Sequence, residues 1–228
     1  MFERLTWHHL FILLALLATV SFLISPAATD LRRDLSPRRG EVAVIHLSGP
    51  ISFGNGLQEK GISPGTIADL TSRAVREGAD AVIYRINSGG GGAVASRQAA
   101  RIVDDAKVPT VCRITEVGAS GAYWMASACD RIVADHISLM GSIGVKSSYL
   151  EISGLLQRFG VEYVNLTSAE YKDMGSRFTN LSREERRKFG DILNASHRYF
   201  VRDIAENRNL SGEAVARVAT GEIFLGET

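Results

Sequence analysis

Apolar residues along this chain change their spacing several times, and these changes predict strands alternating with helices. Short β-branched runs predict buried strands. These runs are residues 41–47, 79–86, 109–114, 131–135 and 161–166. Apolar spacings of three and four predict helices over residues 65–78, 93–106, 120–130 and 149–160. The alternation is typical of an α/β fold with a mostly parallel sheet covered on both sides.

The last fifty residues predict a longer helix. Ser182 and Glu185 have the spacing of an N-terminal capping box. Phe189, Phe200 and Ile204 belong to one apolar stripe that follows it. A further helix is predicted after Ser211, and the final segment, GEIFLGET, predicts a strand and a turn.

The N-terminal segment differs from the rest of the chain. Residues 10–24 carry no charge, and the apolar stretch around them predicts a membrane span over about residues 8–25. The alternative is a cleaved signal peptide. We expect residues 1–28 to form a retained anchor, residues 29–40 a linker, and residues 41–228 the folded domain. Arginines follow the span, so the positive-inside rule alone would put the domain in the cytoplasm.

The net charge and the cysteines limit which partners and metal sites the sequence predicts. The formal net charge is +1, which gives no electrostatic reason to expect nucleic acid as a partner. Cys112 and Cys129 lie in apolar surroundings, so we expect buried thiols rather than a disulfide or a metal pair. No Cys/His cluster has zinc spacing, and we expect no metal.

A glycine run, Gly89–Gly92, follows one predicted strand and opens a helix. Bare N–H groups at such a place bind anions, but the run matches neither a P-loop nor a dinucleotide fingerprint. A tight strand–helix turn is the alternative interpretation.

Ser120 lies at a second junction of strand and helix. Its hydroxyl would be near the positive end of the helix dipole, and the N–H of Gly121 would point toward an oxyanion. Gly118, Ala119 and Gly121 leave space around it. The alternative is that Ser120 caps the helix.

A nucleophilic serine needs a base. Within the domain the histidines are His46, His136 and His197, and none has a recognisable triad context, so we expect structural roles for them. Lys172 follows a predicted strand among small residues. A lysine partly withdrawn from water can accept a proton at neutral pH, although Lys172 alone could equally be a loop lysine.

Several ordered motifs together resemble the signal peptide peptidase A family, which comprises serine peptidases of the ClpP/crotonase fold (peptidase family S49). They are VIHLSGPI, YRINSGGGGAVAS, VGASGAYWMASACD, GSIGV and YKDMGSRF. The spacing of 52 residues from Ser120 to Lys172 also matches. The resemblance runs from about Glu41 to the C-terminus.

The resemblance implies a role for each matching residue. Ser120 would be the nucleophile and Lys172 the general base, with no cofactor. The N–H groups of Gly91 and Gly121 would form the oxyanion hole, and Ser142 would orient the lysine. It also implies a fold of repeated β-β-α units, a homo-oligomer, and a membrane-anchored domain that faces outward from the cytoplasm. The substrates would be signal peptides or other membrane-derived peptides.

Two departures from the family pattern are visible. Gly89 stands where the family usually has proline, so we expect a more flexible turn. Relatives continue beyond GEIFLGET, so we expect a truncated C-terminal edge. The alternatives are a crotonase-type acyl-CoA enzyme, a ClpP-like protease with a Ser-His-Asp triad, a stomatin-linked membrane protease and a non-catalytic scaffold.

Overall fold

A computed structural model describes residues 40–54 and 61–227. Its strands are β1 (Val42–Ser48), β2 (Ala81–Ser88), β3 (Thr110–Ala119), β4 (Arg131–Ala134), β5 (Leu139–Gly141) and β6 (Ile223–Leu225). Its helices are α1 (Pro64–Arg76), α2 (Ala93–Asp104), α3 (Gly121–Ser127), α4 (Ser153–Arg158), α5 (Arg183–Arg208) and α6 (Gly212–Val218). The predicted mixed α/β class is confirmed.

The strands form one sheet in the order β1-β2-β3-β5-β6, and β4 also pairs with β3. Every pairing is parallel except that of β5 with β6. The first half of β3 pairs with β4, and its last three residues pair with β5. The mostly parallel sheet agrees with the sequence prediction.

Side-chain caps set where helices α1 and α5 begin. The Ser63 hydroxyl accepts a hydrogen bond from the Thr66 N–H at 3.1 Å, directly before Pro64 in the first turn of α1. At α5 the Ser182 hydroxyl accepts from the Glu185 N–H at 3.2 Å, and the Glu185 carboxylate accepts from the Ser182 N–H at 2.8 Å. The predicted capping box is therefore confirmed.

Helices α1, α2 and α3 pack on the same face of the sheet. Ile67, Ala99 and Met125 share a buried cluster with the inward residues of β1, β2 and β3. On the opposite face Val42 and Val44 are 52% and 51% exposed. The prediction of a sheet covered on both sides is wrong for the described residues. The strands alternate inward and outward positions, and outward positions with arginine do not suit a buried sheet.

A second cluster fixes α5 against α3. The rings of Trp124 and Phe200 stack with centroids 4.2 Å apart, and Ile204 and Val215 are buried beside them. This packing holds the helix that begins immediately after Ser120.

The segment 146–181, here called the arm, differs from its prediction. Only α4 within it is regular, and the strand predicted at residues 161–166 does not form. Residues 161–170 are all exposed, and no strand of the described chain pairs with them. A strand is stable only when a partner satisfies its N–H and C=O groups, which explains the difference.

The two cysteines form a disulfide, so the prediction of free thiols is wrong. Cys112 lies in β3 and Cys129 follows α3, with their Cα atoms 5.7 Å apart. The turn between β3 and α3 brings together residues whose separation in sequence gave no sign of pairing.

Among residues 40–54 and 61–227, no helix has both the length and the apolar character to cross a bilayer. The predicted anchor, residues 8–25, lies outside the described residues.

Candidate active site

Two turns meet where β2 and β3 end. The register of these strands shifts between the pairs Ile86–Ile114 and Ser88–Gly118, so that β3 contains two extra residues. The Thr115 hydroxyl donates to the Ile86 carbonyl at 3.0 Å, and the Asn87 side-chain oxygen accepts from the Val117 N–H at 3.3 Å. These bonds hold the bulge and bring the end of β3 beside the glycine turn.

Ser120 has an unusual backbone conformation, with φ 53° and ψ −125°. Its N–H donates to the Gly141 carbonyl at 2.8 Å, and its carbonyl accepts from the Trp124 N–H at 3.0 Å. Its side chain makes no capping hydrogen bond, so the alternative in which Ser120 caps the helix is not what the structure shows. Non-glycine residues in such conformations cost about 1–3 kcal/mol and concentrate at functional sites.

Gly90 explains part of the glycine run. Its φ is 91°, and a Cβ built on it would lie 2.5 Å from the Gly121 nitrogen and 3.0 Å from the Ser120 Cβ. Any side chain at position 90 would therefore push the two turns apart. The close approach that glycine allows is used here for contact with the Ser120 turn.

Ile51 holds the glycine turn from the other side. Its N–H donates to the Gly90 carbonyl at 3.0 Å, and its carbonyl accepts from the Gly92 N–H at 2.9 Å. In this parallel bridge the N–H of Gly91 points away from Ile51. Ile51 is fully buried, and sequence reasoning did not identify its role.

The N–H groups of Gly91 and Gly121 lie next to each other. The Gly91 nitrogen is 3.3 Å from the position of a Cβ on Gly121. Neither N–H has a hydrogen-bond acceptor in the part of the chain that the structure describes. Two free donors beside a serine can stabilise an oxyanion.

Ser96 is a further residue that sequence reasoning missed. It is fully buried on α2, its hydroxyl has no partner among the described residues, and a Cβ on Gly121 would overlap it. It shares the inward face of α2 with Ala99 and Val103. A serine at an apolar helical position was the signal that could have identified it.

Ser142 lies one residue beyond the carbonyl that holds Ser120. It has φ 49°, and its N–H donates to the Glu222 carbonyl at 2.6 Å. Its hydroxyl makes no hydrogen bond to any described residue. The predicted orienting residue therefore lies beside the Ser120 turn with a free hydroxyl.

Lys172 lies in a turn of the arm, where its N–H donates to the Ala169 carbonyl at 3.2 Å. Its side chain is exposed, and no hydrogen bond or ion pair joins the amine to Ser120 or to another described residue. A single chain thus brings together Ser120, Gly91, Gly121 and Ser142, whereas the amine of Lys172 makes no hydrogen bond to any of them.

The other candidate groups lie elsewhere. None of the three described histidines forms a hydrogen bond to Ser120, and His197 lines a groove of about 570 Å³ between α5 and α6. Within the described ranges, no group of three or more His, Cys, Asp or Glu side chains is arranged to bind a metal.

Several known proteins are similar to this chain in sequence. The profile described as Peptidase family S49 matches residues 103–228. "Putative protease MJ0651" of Methanocaldococcus jannaschii is 31% identical over 96% of this chain and 72% of its own length. "Putative signal peptide peptidase SppA" of Enterococcus faecium is 33% identical over 64% of this chain and 43% of its own.

A plant relative, "Serine protease SPPA, chloroplastic" of Arabidopsis thaliana, is 30% identical over 85% of this chain and 30% of its own length. The chain thus spans less than half of two of these three relatives. The profile covers more than half of the chain and includes both Ser120 and Lys172. The chain therefore belongs to peptidase family S49.

Proposed function

We propose that the protein is a membrane-anchored serine endopeptidase of the ClpP/crotonase type, with Ser120 as nucleophile and Lys172 as general base. One observation carries the proposal: Ser120 lies in a strained turn with its hydroxyl free, beside the unbonded N–H groups of Gly91 and Gly121. A purely structural serine does not require a free hydroxyl, a strained backbone and two neighbouring N–H groups without hydrogen-bond acceptors.

The chemistry follows from these groups. The neutral amine of Lys172 removes the proton of Ser120, and the oxygen of Ser120 attacks the peptide carbonyl. The N–H groups of Gly91 and Gly121 stabilise the oxyanion, a contribution of about 3–4 kcal/mol per donor in a comparable hydrolase. The lysine then protonates the leaving amine. Water, deprotonated by the same lysine, hydrolyses the acyl-enzyme and restores Ser120.

Lys172 would reach Ser120 on a neighbouring copy of the chain. The arm that carries it exposes large apolar side chains: Leu150 is 77% exposed, Phe159 73%, Val164 71% and Leu166 94%. Exposed apolar surface of this extent in one segment is typical of a site of association, which supports the proposal. In a homo-oligomer the arm would be covered by a second copy, and the lysine would be withdrawn from water beside that copy's serine.

The proposed substrates are extended peptides left at a membrane, such as signal peptides released after export. The relative named as a signal peptide peptidase supports this class. Ile51 occupies one edge of the glycine turn, so a peptide strand would add along the opposite edge, where Gly91 is free. The anchor would be residues 8–25, with the domain on the outer side of the cytoplasmic membrane.

Labelling with a fluorophosphonate and hydrolysis of a fluorogenic peptide test the dyad. We expect the wild-type protein to be labelled at Ser120, and Ser120→Ala and Lys172→Ala each to lose hydrolysis while the fold stays intact. Lys107→Ala is the matched control, because this exposed lysine lies just before the start of β3, at the opposite end from Ser120. Full activity in Lys172→Ala would remove the dyad. Activity without Ser120 would favour a crotonase-type reaction instead.

Co-expression of the two inactive variants tests whether the lysine acts on a neighbouring copy. If each site takes its serine from one chain and its lysine from the next, about a quarter of sites in mixed oligomers would be intact. Recovery of activity near that fraction supports the shared site. No recovery, in oligomers shown to contain both variants, means that serine and lysine come from the same chain.

A further inference from the structure

The face of the sheet opposite α1–α3 carries a regular pattern of valine and arginine. Paired residues of parallel neighbours point to the same side, so strand register defines rows across this face. One row contains Val44, Ile83, Val111 and Arg131, and the next contains His46, Arg85, Arg113 and Val133. We call these eight residues, together with Val42 and Ala81, the open sheet face.

This surface is exposed and positively charged. Val133 is 52% exposed, and Val42 and Val44 in β1 are exposed to the same extent. The three arginines are also exposed. The side chains of Arg85, Arg113 and Arg131 form no ion pair or hydrogen bond within residues 40–54 and 61–227. None of the ten positions is a carboxylate. Acids border the face near the strand ends: Glu41, Asp80 and Asp130 directly precede β1, β2 and β4, Asp135 directly follows β4, and Glu116 lies three residues beyond Arg113 in β3.

The opposite side of the domain differs in charge. On α1, at its C-cap and at the end of α2, the exposed acids Asp69, Glu77 and Asp104 lie among arginines, and Arg73 pairs with Glu77 at 2.8 Å. The open sheet face therefore carries three arginines and no carboxylate, whereas the helices on the other side carry both signs of charge.

We propose that the open sheet face binds an anionic lipid surface. Phosphate groups of lipids would pair with the guanidinium groups of Arg85, Arg113 and Arg131, because arginine suits phosphate geometry. The valines between them would contact the boundary between headgroups and acyl chains. Neighbouring rows of the face present arginine and valine side by side, so that a lipid surface can contact both kinds of side chain at once.

The position of the surface in the chain fits this occupant. Residues 25–41 connect the apolar run to β1, the first strand of the face. A segment of this length reaches about 55 Å at most. The linker itself contributes four more arginines, Arg32, Arg33, Arg38 and Arg39. This inference rests on the membrane anchoring proposed above and is independent of the Ser/Lys dyad.

Arginine-specific modification by phenylglyoxal, read by mass spectrometry, tests the proposal on the full chain. The protein is reconstituted in nanodiscs of phosphatidylcholine, with or without roughly a third of phosphatidylglycerol. We expect Arg85, Arg113 and Arg131 to react at least about threefold more slowly in the anionic discs, and this protection to disappear at high salt. Arg76, Arg101 and Arg217, which are exposed on helices, should react equally in both discs.

Other occupants would give different results. Equal rates in the two lipid compositions overturn the proposal. Protection that is also present in detergent would mean that another segment of the chain covers the face, and protection that grows with protein concentration without lipid would mean a second copy. Either of these results also overturns it. Peptidase activity in detergent is measured on the same preparation and reports the dyad separately.

A pair of matched variants checks that the charges are responsible. His46 lies among the arginines, and its labelling by diethylpyrocarbonate should be slower in the anionic discs. We expect that protection to be lost in Arg85→Gln/Arg113→Gln/Arg131→Gln and kept in Arg76→Gln/Arg101→Gln/Arg217→Gln. Equal His46 labelling in the two variants would contradict a role for the three arginines.

Discussion

Gly121 packs directly against Ser96, and there is no room between them for a single methyl group. A Cβ on Gly121 would overlap the Ser96 hydroxyl and lie 2.7 Å from the Ser96 Cβ. The Gly91 nitrogen is 3.3 Å from the same point. The spacing of the two free N–H groups therefore depends on a glycine at position 121 and a small residue at position 96.

Gly121→Ala should damage stability and activity together. The added methyl group must displace Ser96 or the turn, and overpacking of this kind costs about 1–3 kcal/mol. Because the displaced N–H is a proposed oxyanion donor, we expect hydrolysis to fall by about 10²–10³-fold. Thermal unfolding and the turnover number measure the two effects.

Ser96→Gly supplies the control for that clash. In Ser96→Gly/Gly121→Ala the colliding side chain is gone, so the double variant should recover part of the melting temperature that Gly121→Ala loses. A coupling of at least about 0.5 kcal/mol in the four-variant cycle is expected for residues in contact. Strict additivity would show that the two residues do not compete for the same space.

Ser120→Gly should make the protein more stable while removing its activity. Ser120 has φ 53°, and glycine adopts this conformation without the steric cost of a Cβ. We expect a gain of about 1 kcal/mol, or about 2–4 °C in melting temperature. Ser120→Ala is the matched control, because it also lacks the hydroxyl but keeps the Cβ. Equal melting temperatures for the two variants would mean that the turn is unstrained.

Local features of the chain were predictable from its sequence. The capping box at Ser182 and the boundaries of α1 depend on neighbouring residues, and both agree with their predictions. The motif around Ser120 also indicated the correct junction, since a strand ends there and a helix begins.

Features that depend on distant residues were not predictable. Ile51 forms hydrogen bonds to the backbone of Gly90 and Gly92, and Ser96 packs against Gly121. No local sequence pattern shows which turn either residue supports. To predict the Cys112–Cys129 bridge, one would need to know the path of β3 and α3 in three dimensions. The strand expected at residues 161–166 has a strand-like composition, but a strand also needs a partner, and composition carries no information about one.

The disulfide makes a chemical prediction. Alkylation of the denatured protein without reductant should modify neither Cys112 nor Cys129, and reduction should expose both. The bridge spans 17 residues of sequence that include Ser120. Closing a loop of this size stabilises a fold by about 3 kcal/mol, so Cys112→Ala/Cys129→Ala should melt at a lower temperature. Alkylation of either cysteine before reduction would contradict the bridge.

Asp130 makes the free energy of unfolding depend on pH in the acid range. The Thr110 backbone N–H at 2.7 Å, and then the Thr110 hydroxyl at 2.9 Å, donate to its carboxylate and lower its pKa from the ordinary value. Because the folded pKa lies below the unfolded one, this stabilisation is complete above the unfolded value, near pH 4, and is lost as pH falls through the folded pKa. Asp130→Asn should therefore lower the free energy of unfolding by about 1 kcal/mol at pH 6, a value discounted for exposure, and by progressively less below about pH 4.

Urea unfolding at several pH values measures the difference. Asp69→Asn is the control, since Asp69 makes no side-chain hydrogen bond to a described residue. A gap between wild type and Asp130→Asn that stays constant down to pH 2 would show that the Thr110 contacts do not favour the ionised carboxylate.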